Sequence, residues 1–172
     1  MIRYVSALFL FLASPLAMAQ DTPDTPDNIV SSHNDVWLAG QPNEADIQEW
    51  ASSGVTTVIN LRPDSEMEGI PFDEPETVSA NGMNYISIPM PRAAYTLGTI
   101  ALITEALDAA DGRVVVHCTI GWRASHAYTA YLIESGALAP ENAADLNLWP
   151  CDGLNQDMMH SISASYSDAF PE

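Results

Sequence analysis

His117-Cys118-Thr119-Ile120-Gly121-Trp122-Arg123-Ala124-Ser125 is the stretch that decides how this chain is read. It follows Val114-Val115-Val116, an apolar β-branched run of the kind found in buried strands, and it leads into a helical pattern over residues 122–135. A cysteine at the carboxyl end of a strand, a short loop with a glycine, and an arginine entering a helix bring a thiol and an anion site together. The loop amides and the helix N-terminus carry partial positive charge and point at one spot. Such a field lowers a thiol pKa toward the roughly 3.5–7.5 range of activated cysteines. It also binds a tetrahedral oxyanion over the sulfur, with Arg123 able to grip two oxygens. The pattern therefore points to Cys118 as a nucleophile in phosphoryl or sulfur transfer, with His117 as a candidate support. A cysteine that was merely a small buried hydrophobe would not account for the glycine and arginine that follow at this spacing.

Outward from this stretch, strands alternate with helices. Val36-Trp37-Leu38 reads as a short strand ended by Gly40-Gln41-Pro42. Asn43 is placed to cap a helix over residues 44–52, with Asp46 as the acidic partner and Ile47 and Trp50 turned inward. Residues 55–61 are β-branched and bounded by turn chemistry, hence a buried strand. Residues 62–76 read as an acidic loop, 77–81 as a helical turn, and 85–88 as a third strand stopped by Pro89 and Pro91. A helix is predicted over residues 96–110, a strand over 114–117, and further helical patterns near 141–147 and 156–165. The alternation predicts an α/β fold, a mainly parallel sheet of about four strands flanked by helices. Sites in such folds lie at the carboxyl ends of the strands, where Arg62-Pro63-Asp64, the segment up to Arg92, and the Cys118 loop all fall.

Residues 1–19 have the form of a secretory signal: Arg3, an apolar core, then Ala17-Met18-Ala19, with cleavage near Ala19-Gln20. Residues 20–32 are expected to be a disordered leader and residues 33–172 a single domain, in a periplasmic or secreted protein without stable membrane insertion. Lysine is absent, and removal of Arg3 leaves four arginines against 23 acids, a formal charge of −19. Such a surface repels nucleic acid and anionic lipid, so an anion site must be local, and added salt should help an anionic substrate bind. In an oxidising compartment Cys118 and Cys151 could form a structural bridge, a reversible one, or none. The histidines suggest no metal site, and no cofactor is expected.

Ala39-Gly40-Gln41-Pro42 followed by a helix, Thr57-Val58-Ile59-Asn60-Leu61-Arg62-Pro63-Asp64, and Cys118-x-x-Gly121-x-Arg123 together resemble the β-lactamase-hydrolase-like phosphatase domain. This is a bacterial branch of the dual-specificity protein-tyrosine-phosphatase superfamily. The resemblance implies a cysteine-phosphatase-like fold and a thiophosphate intermediate on Cys118. It implies a phosphate held by the amides of Thr119, Ile120, Gly121, Trp122 and Arg123 and by the Arg123 side chain. Ser125 is in register with the residue that assists thiolate release. The family's general acid, an aspartate upstream of the cysteine, has no carboxylate counterpart in residues 89–95. Asp64, with Glu66, is the nearest substitute, and Arg92 is a candidate for a second anionic group. The expected substrate is a phosphorylated protein or small phosphate ester. The same loop is also similar to that of rhodanese-type sulfurtransferases, which would carry a persulfide on Cys118. A catalytically silent anion-binding module is the third reading.

Overall fold

The structure is a computed structural model that describes residues 25–91, 96–146 and 148. Its elements are β1 (Ile29–His33), β2 (Val36–Ala39), α1 (Glu44–Ser52), β3 (Val55–Asn60), α2 (Asp64–Met67), α3 (Glu74–Ala80), β4 (Asn84–Ser87), α4 (Leu97–Ala109), β5 (Arg113–His117) and α5 (Trp122–Glu134). A 3₁₀ segment, Pro140–Leu146, follows.

One five-stranded sheet runs in the order β1-β2-β5-β3-β4. Its last four strands are parallel and β1 is antiparallel to β2. Because side chains alternate across a strand, the central Val114-Val115-Val116 run serves two cores at once. Val115 lies between Trp37 and Val58 in register, and these pack with Ile47, Trp50 and Val78 of α1 and α3. Val116 lies between Leu38 and Ile59, and this row packs with Ile100, Ile103, Ala124 and Ala127 of α4 and α5. A strand buried on both faces has no polar side to show, which is why β5 reads as an unbroken apolar run.

α1 forms where its caps predicted. Asn43 accepts from the Ala45 and Asp46 amides and Asp46 closes the capping box. α5 is buried on nearly every side, and Ala124, Ala127 and Ala130 let it lie close to the sheet. Leu97, at the start of α4, is 48% exposed, because the burial of that helix begins at Ile100.

The expected α/β fold, a mainly parallel sheet flanked by helices, is the one observed, with five strands where about four were expected. Three expectations are corrected. The leader expected over residues 20–32 is ordered at its end: β1 pairs with β2, and Val30 covers Gly121. The acidic loop expected over residues 62–76 contains α2 and the start of α3, whose N-cap Asp73 accepts from the Glu76 amide. The helix near residues 141–147 is a 3₁₀ segment. The signal sequence, Arg92, Cys151, His160 and the helical pattern at 156–165 lie outside the described residues.

Candidate active site

The ladder continues past the strand ends and builds a floor for one site. Leu61 N donates to His117 O at 3.0 Å, Met90 N to Leu61 O at 3.0 Å, Cys118 N to Ala39 O at 3.3 Å and Gln41 N to Thr119 O at 3.0 Å. The four connections following β2, β3, β4 and β5 thus meet at the carboxyl edge of the sheet. Gly40 pairs with Ile120 across this seam, and a Cβ on Gly40 would stand 3.3 Å from the Thr119 carbonyl. That close approach is the reason a glycine precedes Gln41-Pro42.

Cys118 is buried, and the loop after it turns into α5 at Gly121, whose φ of +83° is left-handed. Gly121 supplies no side-chain cap, so the first-turn amides of α5 face the loop as donors for an anion. Ile120 stands on the rim, 56% exposed.

Arg123 is buried and held at both ends of its fork. Nη1 donates to Met90 O at 2.8 Å and Leu61 O at 3.3 Å; Nη2 donates to Glu66 Oε2 at 2.5 Å and Thr119 Oγ1 at 3.2 Å. Glu66 is in turn 3.5 Å from Arg62 Nε, while Arg62 also donates to the Glu66 carbonyl and to Gln41 Oε1. Burial alone would raise the Glu66 carboxyl, but the hydrogen bond and charge of Arg123, with Thr119 and Arg62, hold it below its ordinary value. Glu66 is therefore an anion that orients the guanidinium, and is unsuited to giving up a proton at neutral pH.

Behind the nucleophile, His117 Nε2 lies 2.9 Å from Glu74 Oε1, with both side chains fully buried. The oxygen sits off the ring N–H axis, so the contact falls short of an aligned hydrogen bond, and His117 Nδ1 has no hydrogen-bond partner among the described residues. Burial would raise Glu74; His117, Gln41 and Tyr85 outweigh it and keep the carboxyl below its usual range. Tyr85, partly buried near Glu74, is pushed up to about 12 by desolvation and so stays neutral at physiological pH.

The structure therefore brings Cys118, Thr119, Ile120, Gly121, Trp122, Arg123 and His117 together. It places two other candidates differently. Asp64 is exposed at the start of α2 and takes no part in the hydrogen bonds around the loop; Glu66 reaches the loop instead. Ser125 Oγ lies 3.0 Å from Gly121 O and 2.7 Å from Leu148 O, so its proton serves a carbonyl rather than the sulfur. Sequence reasoning missed Glu74 as a buried group and Gln41 as a side-chain ligand of both Glu74 and Arg62. Glu74 looked like one acid among many, and only the fold pairs it with His117. Among the described residues no group of three or more His, Cys, Asp or Glu could hold a metal ion. Nor is any described helix long and apolar enough to cross a membrane.

Comparison with known proteins fits this geometry. The chain is 30% identical over 112 residues to a beta-lactamase hydrolase-like protein of Xylella fastidiosa, covering 64% of this chain. It spans only 26% of that relative's length. Its fold matches a DUF442 protein of Shewanella putrefaciens at a TM-score of 0.67 and 25% identity, over 84% of this chain and 92% of that one. It also matches the kinase associated phosphatase at 0.68 and 14% identity, over 78% and 86% of the two chains. The fold is thus that of the cysteine phosphatases. The family model for the beta-lactamase hydrolase-like protein, phosphatase-like domain, matches residues 29–135, more than half of the chain, and the chain belongs to that family.

Proposed function

We propose that the protein is a cysteine-dependent phosphatase acting on phosphate monoesters, phosphotyrosine or phosphoserine in proteins among them. The observation that carries this reading is the buried Arg123 guanidinium, fixed over a glycine-hinged loop that starts at Cys118 and ends in the N-terminus of α5. A phosphoryl group seated there would meet loop amides, the helix terminus and Arg123 at its equatorial oxygens, where charge develops in the transition state. The Cys118 thiolate attacks phosphorus, a P–S bond forms, and the ester P–O bond breaks. We assign the proton for the departing oxygen to Asp64, the exposed carboxylate of the same α2 turn, since Glu66 is committed to Arg123. Water then attacks phosphorus, giving inorganic phosphate and restoring the thiolate. No metal or cofactor enters these steps. Export to the periplasm or beyond, guided by residues 1–19, is part of the same proposal, and the N-terminal mass of protein recovered from that compartment tests it.

The activity is tested with p-nitrophenyl phosphate. Wild type should turn over under reducing conditions, Cys118→Ser should not, and an Asp64→Asn variant should lose most on esters with poor leaving groups. Equal turnover by wild type and Cys118→Ser refutes the mechanism. The four residues between Cys118 and Arg123 support the second reading, a sulfurtransferase: thiosulfate should then add one sulfur to the Cys118 peptide by mass.

A further inference from the structure

His117 and Thr119 flank the nucleophile, and a single run of polar contacts joins them around it. His117 Nε2 meets Glu74 Oε1 at 2.9 Å, and Glu74 Oε2 accepts from Gln41 Nε2 at 2.6 Å. Gln41 Oε1 accepts from Arg62 Nη1, and Arg62 Nε faces Glu66 Oε2 at 3.5 Å. Glu66 Oε2 then accepts from Thr119 Oγ1 at 3.2 Å and from Arg123 Nη2 at 2.5 Å. From Glu74 to Arg123 carboxylates and guanidiniums alternate along the run, with Gln41 as its neutral link.

That link calls for an amide. One end must donate to a carboxylate while the other accepts from a guanidinium, and a primary amide offers both at once. A glutamate would still accept from Arg62 but would set like charge against Glu74, and a methionine would serve neither. The backbone of Gln41 adds a third tie, donating to Thr119 O at 3.0 Å. One residue thus holds the Glu74–His117 pair on one side of Cys118 and the Arg62–Glu66–Thr119 chain on the other.

We propose that Gln41 is a positioning residue for the Cys118 loop, acting through Glu74 and His117 on one flank and through Arg62, Glu66 and Arg123 on the other. Its kinetic readout rests on the phosphatase reading above. The side chain bonds Glu74 and Arg62 rather than supplying a loop amide, so its loss should loosen the cradle rather than remove a donor. A loosened cradle binds the tetrahedral ground state nearly as well and the trigonal-bipyramidal transition state worse.

The experiment uses the full chain with Gln41→Glu and Gln41→Met. In both, kcat on p-nitrophenyl phosphate should fall about 10–100-fold with KM within about threefold. Inhibition by orthovanadate should weaken in step with kcat, while inhibition by inorganic phosphate stays within about threefold. A folded variant with kcat within about threefold of wild type overturns the proposal. So does a variant with a lower Tm but an unchanged vanadate-to-phosphate ratio well below that Tm, since a merely structural contact predicts that pattern. Should the Met variant not fold, the near-isosteric Glu variant decides. If wild type itself does not turn over, the phosphatase reading fails separately, and alkylation of Cys118, followed on its peptide by mass, still reads the loop. A rate unchanged in both variants overturns the proposal, and a change of about tenfold supports it.

Discussion

Arg123→Lys separates the structural task this side chain performs from the catalytic one proposed for it. The guanidinium spans the carbonyl at the end of the β4 connection, the carbonyl after β3, and Glu66 on α2. A lysine keeps the charge but has one nitrogen, so it cannot reach all three. Leu61 O keeps its bond from Met90 N, whereas Met90 O has Arg123 as its donor among the described residues. Leaving that carbonyl unpaired costs about 1–3 kcal/mol. For a domain of this size the loss corresponds to a Tm lower by roughly 3–10 °C. On the catalytic side, losing a fixed donor to the equatorial oxygens costs about 2.7–4 kcal/mol, or roughly 10²–10³ in kcat. The assay pairs thermal melting, with and without inorganic phosphate, with kcat on p-nitrophenyl phosphate. Wild type should gain Tm from phosphate and Arg123→Lys should gain much less. A variant that keeps kcat within about fivefold and the full phosphate-dependent gain would show that the fork is not what holds the anion.

Three further outcomes follow from the same contacts. Raising salt from low ionic strength should increase kcat/KM for a dianionic ester by about 3–10-fold, because a chain of net charge −18 repels it at range while the buried pairs at the loop are little screened; a rate that only falls with salt contradicts this. Glu74→Ala removes the buried acceptor of Gln41 Nε2 and the carboxylate facing His117, and should cost about 1–3 kcal/mol in denaturant unfolding. Because the folded carboxyl of Glu74 is depressed, its contribution is present above the unfolded value of about 4.3 and is lost as pH falls through the lower folded one, so Glu74→Gln should flatten the acid limb of a stability–pH curve. Gly121→Ala combines a left-handed φ of +83° with a Cβ 2.4 Å from Val30 Cγ2. The conformational part is about 1–2 kcal/mol, and adding Val30→Ala should recover the steric part but not this one, measured as a double-mutant cycle in urea.

What the chain revealed and what it hid divide along a physical line. α1 was legible because its signals are local: Asn43, Asp46, Ile47 and Trp50 lie within two turns and need no partner elsewhere. β5 and its loop were legible because a two-sided apolar strand and a left-handed glycine leave compositional marks. β1 was not, since it is an edge strand with two of its five residues exposed and none fully buried, and Ile-Val-Ser-Ser-His differs little from the polar leader before it. Its value to the fold lies in Val30 meeting Gly121, a contact between residues far apart in the chain.

The two carboxylates after β3 show the same limit in finer grain. Read as a loop, Asp64 and Glu66 are interchangeable, and proximity to the strand end favours Asp64. Once residues 64–67 form a helical turn, positions two apart point about 200° away from each other, so only one of them can reach Arg123. Glu66 faces it, and the main-chain carbonyl of Glu66 also holds Arg62, fixing which face is turned inward. Asp64 stays exposed and takes no part in the bonds around Arg123. The proposed mechanism therefore gives the two neighbouring acids opposite tasks. A comparison of Asp64→Asn with Glu66→Gln should show it: the first should slow esters of poor leaving groups while sparing phosphate binding. The second should weaken phosphate binding and kcat for good and poor leaving groups alike, and identical leaving-group profiles for the two would undo the assignment.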